Sequence, residues 1–226
     1  MWRRSRFVGY AQSSLQSGNT LAGVQFVNVG TEADMPLLSI KPTGTDVSDN
    51  IVIQTLDAYG RTVDSYLWID WAGDESDQEA WVNDETYEII DGVSFAPGTG
   101  LWIQGTSTEQ GIQNAGKVSS SDLVVSLRSG NSAICNPFPV TISLQDIIAT
   151  GSDVSDNVVI QTLDAYGRTV DSYLWIDWAG DESDQEAWVN DETYEIIDGV
   201  SFAAGAGLWV QGTSTEQSLR FPAPEL

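Results

Sequence analysis

Between Asp70 and Asp91 the chain carries nine carboxylates: Asp70, Asp74, Glu75, Asp77, Glu79, Asp84, Glu85, Glu88 and Asp91. No lysine or arginine occurs between Arg61 and Lys117 to neutralise them. Two unit charges ~4 Å apart in an effective dielectric of ~20 interact by about 4 kcal/mol, so acids gathered in a folded loop must spread into water or share a cation. Calcium is the natural cation, being hard, oxygen-loving and tolerant of irregular geometry. The stretch "DWAGDESDQE" offers Asp70, Asp74, Asp77 and Glu79, with Ser76 and main-chain carbonyls to complete a shell. Residues 177–198 repeat it, with Asp177, Asp181, Asp184 and Glu186 as the equivalent ligands. The alternation of acids and glycine that marks an EF-hand is missing, and a solvated, self-repelling hairpin loop is the competing reading. A glycosidase-like acid pair needs two carboxylates held ~5–10 Å apart across a cleft, which linear spacing does not supply.

Aromatic side chains are the second candidate chemistry. Each repeat has four tryptophans, Trp68, Trp71, Trp81 and Trp102, then Trp175, Trp178, Trp188 and Trp209. Strand alternation sets Tyr66 and Trp68 opposite Leu67 and Ile69, and Trp102 opposite Leu101 and Ile103. If those two faces coincide, Tyr66, Trp68 and Trp102 form a platform for a sugar ring, and Tyr173, Trp175 and Trp209 form its twin. The alternative is that these rings are core.

Nucleophilic catalysis has little to work with. There is no histidine, which removes Ser-His-Asp and Cys-His mechanisms and the usual zinc and copper sites. The single cysteine, Cys135 in "SAICNPF", reads as a small buried hydrophobe rather than a reactive thiol, and it has no disulfide partner within the chain. With 33 acids against 9 bases, the net charge is -24. Such a surface repels phosphate backbones and anionic lipid, so nucleic acid and membrane insertion are not expected. No apolar run approaches the ~20 residues of a membrane span. The start "MWRRSRFVGY" has positive charge but no following apolar stretch, so no complete signal peptide is expected there.

The elements that position these residues are written twice. Residues 43–110 recur at 150–217 with differences at five of 68 positions: Thr45/Ser152, Ile51/Val158, Pro97/Ala204, Thr99/Ala206 and Ile103/Val210. The flanks diverge but correspond, "LQSGN" at 15–19 with "LRSGN" at 127–131, and "LLSIKPTG" at 37–44 with "LQDIIATG" at 144–151. The repeat places one unit at residues 7–117 and another at 118–226. Period-two alternation in "IVIQTL", "VDSYLWIDW" and "GLWIQG" predicts strands. Gly60 in "LDAYGRT" suits a hairpin turn, "APGTG" is a second turn, and "SLQDII" predicts one short helical turn capped by Ser143. The expected fold is all-β: two tandem homologous units, each a β-sandwich or partly open β-barrel. Two prolines in the tail "SLRFPAPEL" predict that the second unit lacks, or borrows, its closing strand. The opening strand is read first as closing its own unit, with exchange of that strand between neighbouring molecules as the alternative.

The segments "FVGYAQSSLQSGN", "NPFPVTISLQDI" and "FAPGTGLWIQG" resemble a broad group of uncharacterised secreted bacterial β-repeat proteins. Members share a VGY-type opening strand, an NPFP turn and a PGxGLW-type unit ending. The resemblance implies export to the extracellular space or cell surface and a non-catalytic role. Together these readings predict a structural or adhesive tandem-repeat protein, calcium-stabilised, that pairs with itself. A carbohydrate-binding module acting on an extracellular glycan is the alternative.

Overall fold

The computed structural model describes residues 8–28, 34–71, 78–178 and 185–225. Strands take up 51% of the chain, and no α-helix forms among the described residues. The first half contains β1 (Val8–Ser14), β2 (Gly18–Gly23), β3 (Met35–Pro36), β4 (Lys41–Thr43) and β5 (Val52–Leu56). It continues with β6 (Thr62–Asp70), β7 (Glu79–Asn83), β8 (Ser94–Phe95), β9 (Gly100–Gly105) and β10 (Gly111–Lys117). The second half repeats the set as β11 (Leu123–Ser126), β12 (Gly130–Cys135), β13 (Ile142–Ser143), β14 (Ile148–Thr150) and β15 (Val159–Leu163). Its remaining strands are β16 (Thr169–Asp177), β17 (Glu186–Asn190), β18 (Ser201–Phe202), β19 (Gly207–Gly212) and β20 (Ser218–Phe221).

Each half builds a five-stranded sheet, ordered β2-β9-β5-β6-β7 and β12-β19-β15-β16-β17. Three-stranded sheets follow the orders β1-β10-β4 and β11-β20-β14, and β3-β8 and β13-β18 make short pairs. These small antiparallel sheets are arranged like a four-bladed propeller. A single hydrophobic cluster runs from Ala11 and Phe26 in the first half to Leu219 and Phe221 in the second. The cluster joins side chains of both halves.

Local chemistry explains why these residues make these elements. In the hairpin between β5 and β6, Asp57 Oδ1 accepts the backbone N–H of Tyr59 at 2.8 Å and of Arg61 at 2.9 Å. Gly60 adopts φ 77°, a left-handed conformation that costs glycine least. The motif "GTSTEQ" closes on a buried amide. Gln110 Oε1 accepts from the Thr106 and Ser107 amides, and its Nε2 donates to the Asp46 carbonyl at 2.7 Å. Gln217 repeats every one of these bonds in the second half. The expected short turn is the 3₁₀ segment Leu144–Asp146, where Ser143 Oγ accepts the Gln145 N–H.

One expectation needs correction, and one open choice is decided. The second half keeps its closing strand: β20 pairs with β11 along four positions and with β14 along three. Pro222 and Pro224 follow the strand, so their missing donors shorten it after Phe221 instead of abolishing it. In the first half, β1 pairs with β10 of the same chain along seven positions, so the opening strand closes its own half.

Candidate functional site: the seam between the halves

The acidic candidates sit at hairpin ends. Asp70 and Glu79 are cross-strand partners at the loop end of the β6–β7 ladder, as are Asp177 and Glu186 in β16–β17. Asp74, Asp77, Asp181 and Asp184 lie outside the described residues. Other members of the acidic stretch go elsewhere: Asp84 Oδ2 accepts the Ser65 hydroxyl at 2.8 Å, and Glu85 and Glu88 are exposed. Among the described residues no group of three or more metal-ligating side chains comes together. Of the candidate ligands in each half, two carboxylates are described, each with two oxygens that a cation of calcium's kind accepts.

The aromatic platform does not form, and the register shows why. Gln54 pairs with both Ser65 and Trp102, while Ile53 pairs with Tyr66 and Ile103. Directly paired residues share a face. Tyr66 and Trp68 therefore point into the core with Ile53, Leu101 and Ile103, whereas Trp102 lies on the opposite face with Leu67 and Ile69. Tyr66 is 6% exposed and Trp68 2% exposed, with Trp68 edge-on to Trp81 at 5.2 Å. Tyr173 and Trp175 are buried in the same way, and Trp209 takes the side opposite to them. Burial pushes the Tyr66 phenol above its usual range, with the Asp64 charge adding to the effect.

What covers Trp102 and Trp209 is the other half. A β-carbon on Gly167 would meet the Trp102 ring at 3.5 Å, and one on Gly60 would meet the Trp209 ring at 3.5 Å. Each tryptophan thus packs on the hairpin turn of the opposite repeat. The contact is locked by hydrogen bonds of the same pattern. Asn19 donates from its backbone N and its Nδ2 to the Ala165 carbonyl, at 3.2 and 3.3 Å. Asn131 does likewise to the Ala58 carbonyl, at 3.1 Å for both. The Gly23 N–H donates to the Gly205 carbonyl, and the Cys135 N–H to the Gly98 carbonyl. Residue i of one half touches j of the other, and their counterparts touch reciprocally. That is the pattern of an isologous dimer interface, here inside one chain.

Along this seam lies a cleft of about 450 Å³. One wall is the β5–β6 hairpin and the start of β9; the other is β11 and β12. Asp64 Oδ2 accepts the Thr55 hydroxyl at 3.0 Å. Arg128 reaches across the seam, donating from Nη1 to the Leu56 carbonyl at 3.0 Å. The buried Ser132 hydroxyl accepts the Arg128 N–H at 2.9 Å. Phe95 supplies apolar floor. Asp57, also on the cleft, is held below the usual carboxylate range, first by the Arg61 backbone N–H and then by the Arg61 guanidinium.

Sequence spacing points to neither Arg128 nor Asn131 as a site residue. One signal was present: within the matched pair "LQSGN" and "LRSGN", Arg128 is the single departure, standing where the first half has Gln16. Cys135 is fully buried against Val24 and Gly98, and burial pushes its thiol up to about 12. It is a packing residue. No family model, curated protein or solved structure matches the chain.

Proposed function

We propose that this chain is a non-catalytic extracellular structural or adhesive protein in which two tandem homologous units are locked into one rigid body. The observation that carries the reading is the reciprocal seam, Asn19 to Ala165 and Asn131 to Ala58. Polar side chains in this fold clamp turns and bind the halves together. Asp57, Gln110 and Asn83 each spend their acceptors on neighbouring backbone amides. The same scaffold holds two equivalent hairpin tips at the surface, where Tyr59 is 80% exposed and Tyr166 81%. Arg61 and Arg168 lie over those rings at 5.0 and 5.1 Å. Rigid, repeated display of Tyr and Arg on a strongly acidic body fits attachment better than turnover.

Its partners on this reading are extracellular glycan or further copies of itself. Calcium belongs to the same proposal. A divalent ion shared along the acidic stretches 70–91 and 177–198 would gather their carboxylates, with Asp70 and Glu79, and Asp177 and Glu186, as cross-strand pairs on which it starts. Acid-rich, lysine-poor composition suits a salty or calcium-containing medium, which supports an extracellular location. No helix among the described residues is long and apolar enough to cross a membrane.

The test is retention under flow. Beads carrying the full chain should stay on glycan-coated or self-coated surfaces more strongly than beads carrying a Tyr59→Ser, Tyr166→Ser double variant. Retention no better than that of bare beads on every surface contradicts the adhesive reading.

A further inference from the structure

The repeat leads to an expectation of two equal sites, yet the seam cleft is built differently on its two sides. In the cleft between the first-half hairpin and β12, Ala133 and Arg128 line the wall. At the equivalent positions facing the second-half hairpin stand Leu21 and Gln16. There the Leu21 side chain reaches the wall: a β-carbon on Gly207 would meet Leu21 O at 2.3 Å and both Leu21 C and Leu21 Cγ at 2.4 Å. On the other side, the three atoms nearest to a β-carbon on Gly100 would all be backbone, Ile134 N and O at 2.6 Å and Ala133 C at 2.7 Å. Replacing leucine by alanine leaves the space, and replacing glutamine by arginine puts a cation in it.

We infer that this cleft is a saccharide-binding site, present once per chain, that takes a neutral sugar of about disaccharide size. Its volume falls within the ~300–1,000 Å³ usual for small-molecule sites, and sites of this kind form preferentially where two domains meet. The chemistry of the wall selects the class. Asp64 has one oxygen bonded to Thr55 and further lone pairs to offer, so it accepts hydroxyl protons. Arg128 uses one of five N–H donors on Leu56, leaving others for sugar oxygens. Ser132 accepts from the Arg128 amide and retains its own hydroxyl proton. A vicinal diol donates to a carboxylate and accepts from a guanidinium at once, while its C–H face rests on Phe95. An anionic ligand would meet Asp57, Asp64 and the overall charge of -24. A purely cationic one would meet Arg128.

This deepens the adhesive reading and rests on it only for what the site is used for, because binding is measured in solution on the free chain. Cellobiose, maltose and lactose are titrated separately into the full chain and followed by amide NMR shifts. The expected result is saturable binding of at least one sugar, one per chain, with shifts centred on Thr55, Asp64, Arg128 and Ser132. Arg128→Gln, a surface change, should weaken binding at least tenfold. Ala133→Leu, which copies the filled side, should do the same with an unchanged melting temperature. No shift up to ~10 mM, ten times a 1 mM dissociation constant, overturns the inference. So does binding of two sugars per chain, or binding that Arg128→Gln leaves intact. Loss of bead retention with cleft binding preserved would sink the adhesive reading alone.

Discussion

Gly23 and Cys135 occupy equivalent positions in the two halves and meet each other at the seam. A β-carbon on Gly23 would lie 2.6 Å from Cys135 Sγ and 2.2 Å from the Thr99 carbonyl oxygen. The two halves therefore approach closely because one of them lacks a side chain where the other carries a thiol. One of the five departures within the repeat also lies at this boundary. Thr99/Ala206 differs where the isolated bridges Thr99–Ile134 and Ala22–Ala206 join the halves.

Gly23→Ala is predicted to destabilise the chain severely. Overpacking a close contact costs about 1–3 kcal/mol, and collision with backbone oxygen places this change at or beyond the upper end. Denaturant unfolding measures it. A loss below about 0.5 kcal/mol, the range of an ordinary surface change, would mean that Gly23 is not tightly enclosed between Thr99 and Cys135.

Cys135 should resist thiol reagents in the native state and react on unfolding. Its thiol is pushed up to about 12 when folded, so the unfolded chain ionises first. Stability is then unaffected below the ordinary thiol pKa of about 8.5 and falls as pH rises from there towards the folded value. Cys135→Ala should remove that alkaline component, which is measured by unfolding at a series of pH values.

Asn19→Ala and Asn131→Ala should each cost about 1 kcal/mol, the usual worth of one hydrogen bond. The two sites are separate, so the double variant should lose the sum. Unfolding midpoints of the three variants check this. Equal stability of all three with the parent would remove the side-chain lock from the seam.

Much of this fold is legible in the sequence. Alternation marks the long strands, Gly60 marks the hairpin, and Ser143 marks the 3₁₀ turn. What alternation does not reveal is which face of β6 is buried, since Tyr66 and Trp68 on one side and Leu67 and Ile69 on the other are both apolar. Pairing with Ile53 decides it, and pairing is non-local. The cover over Trp102 and the cleft beside Arg128 depend on contacts between residues more than 60 positions apart, which no local pattern encodes. The tail misled for a simpler reason: four residues before Pro222 are enough for a short strand.

The Asp57–Arg61 pair should respond to acid in a defined direction. Asp57 is held below the ordinary carboxylate range by the Arg61 amide first and the guanidinium second. A depressed folded pKa gives stability that is present above the unfolded value of about 3.9 and is lost as pH falls towards the folded one. Arg61→Gln should move the Asp57 titration part of the way back, because the backbone donor remains. Carboxyl NMR shifts follow it; a full return to the unfolded value would show that the amide bond is unimportant.

Calcium should raise the melting temperature, and a chelator should reverse the change. A ligand at 100 times its dissociation constant stabilises the folded state by about 2.7 kcal/mol. Replacing Asp70 and Asp177 by Asn should abolish the calcium-dependent part of the shift. An identical melting curve with calcium and with chelator removes the metal from the proposal.

The central claim is that the two halves form one body through their seam, and calorimetry of the full chain tests it most directly. A single unfolding transition is expected, with calorimetric and van't Hoff enthalpies in agreement. Two separable transitions, or a calorimetric enthalpy near twice the van't Hoff value, would mean that the halves unfold independently and would contradict it.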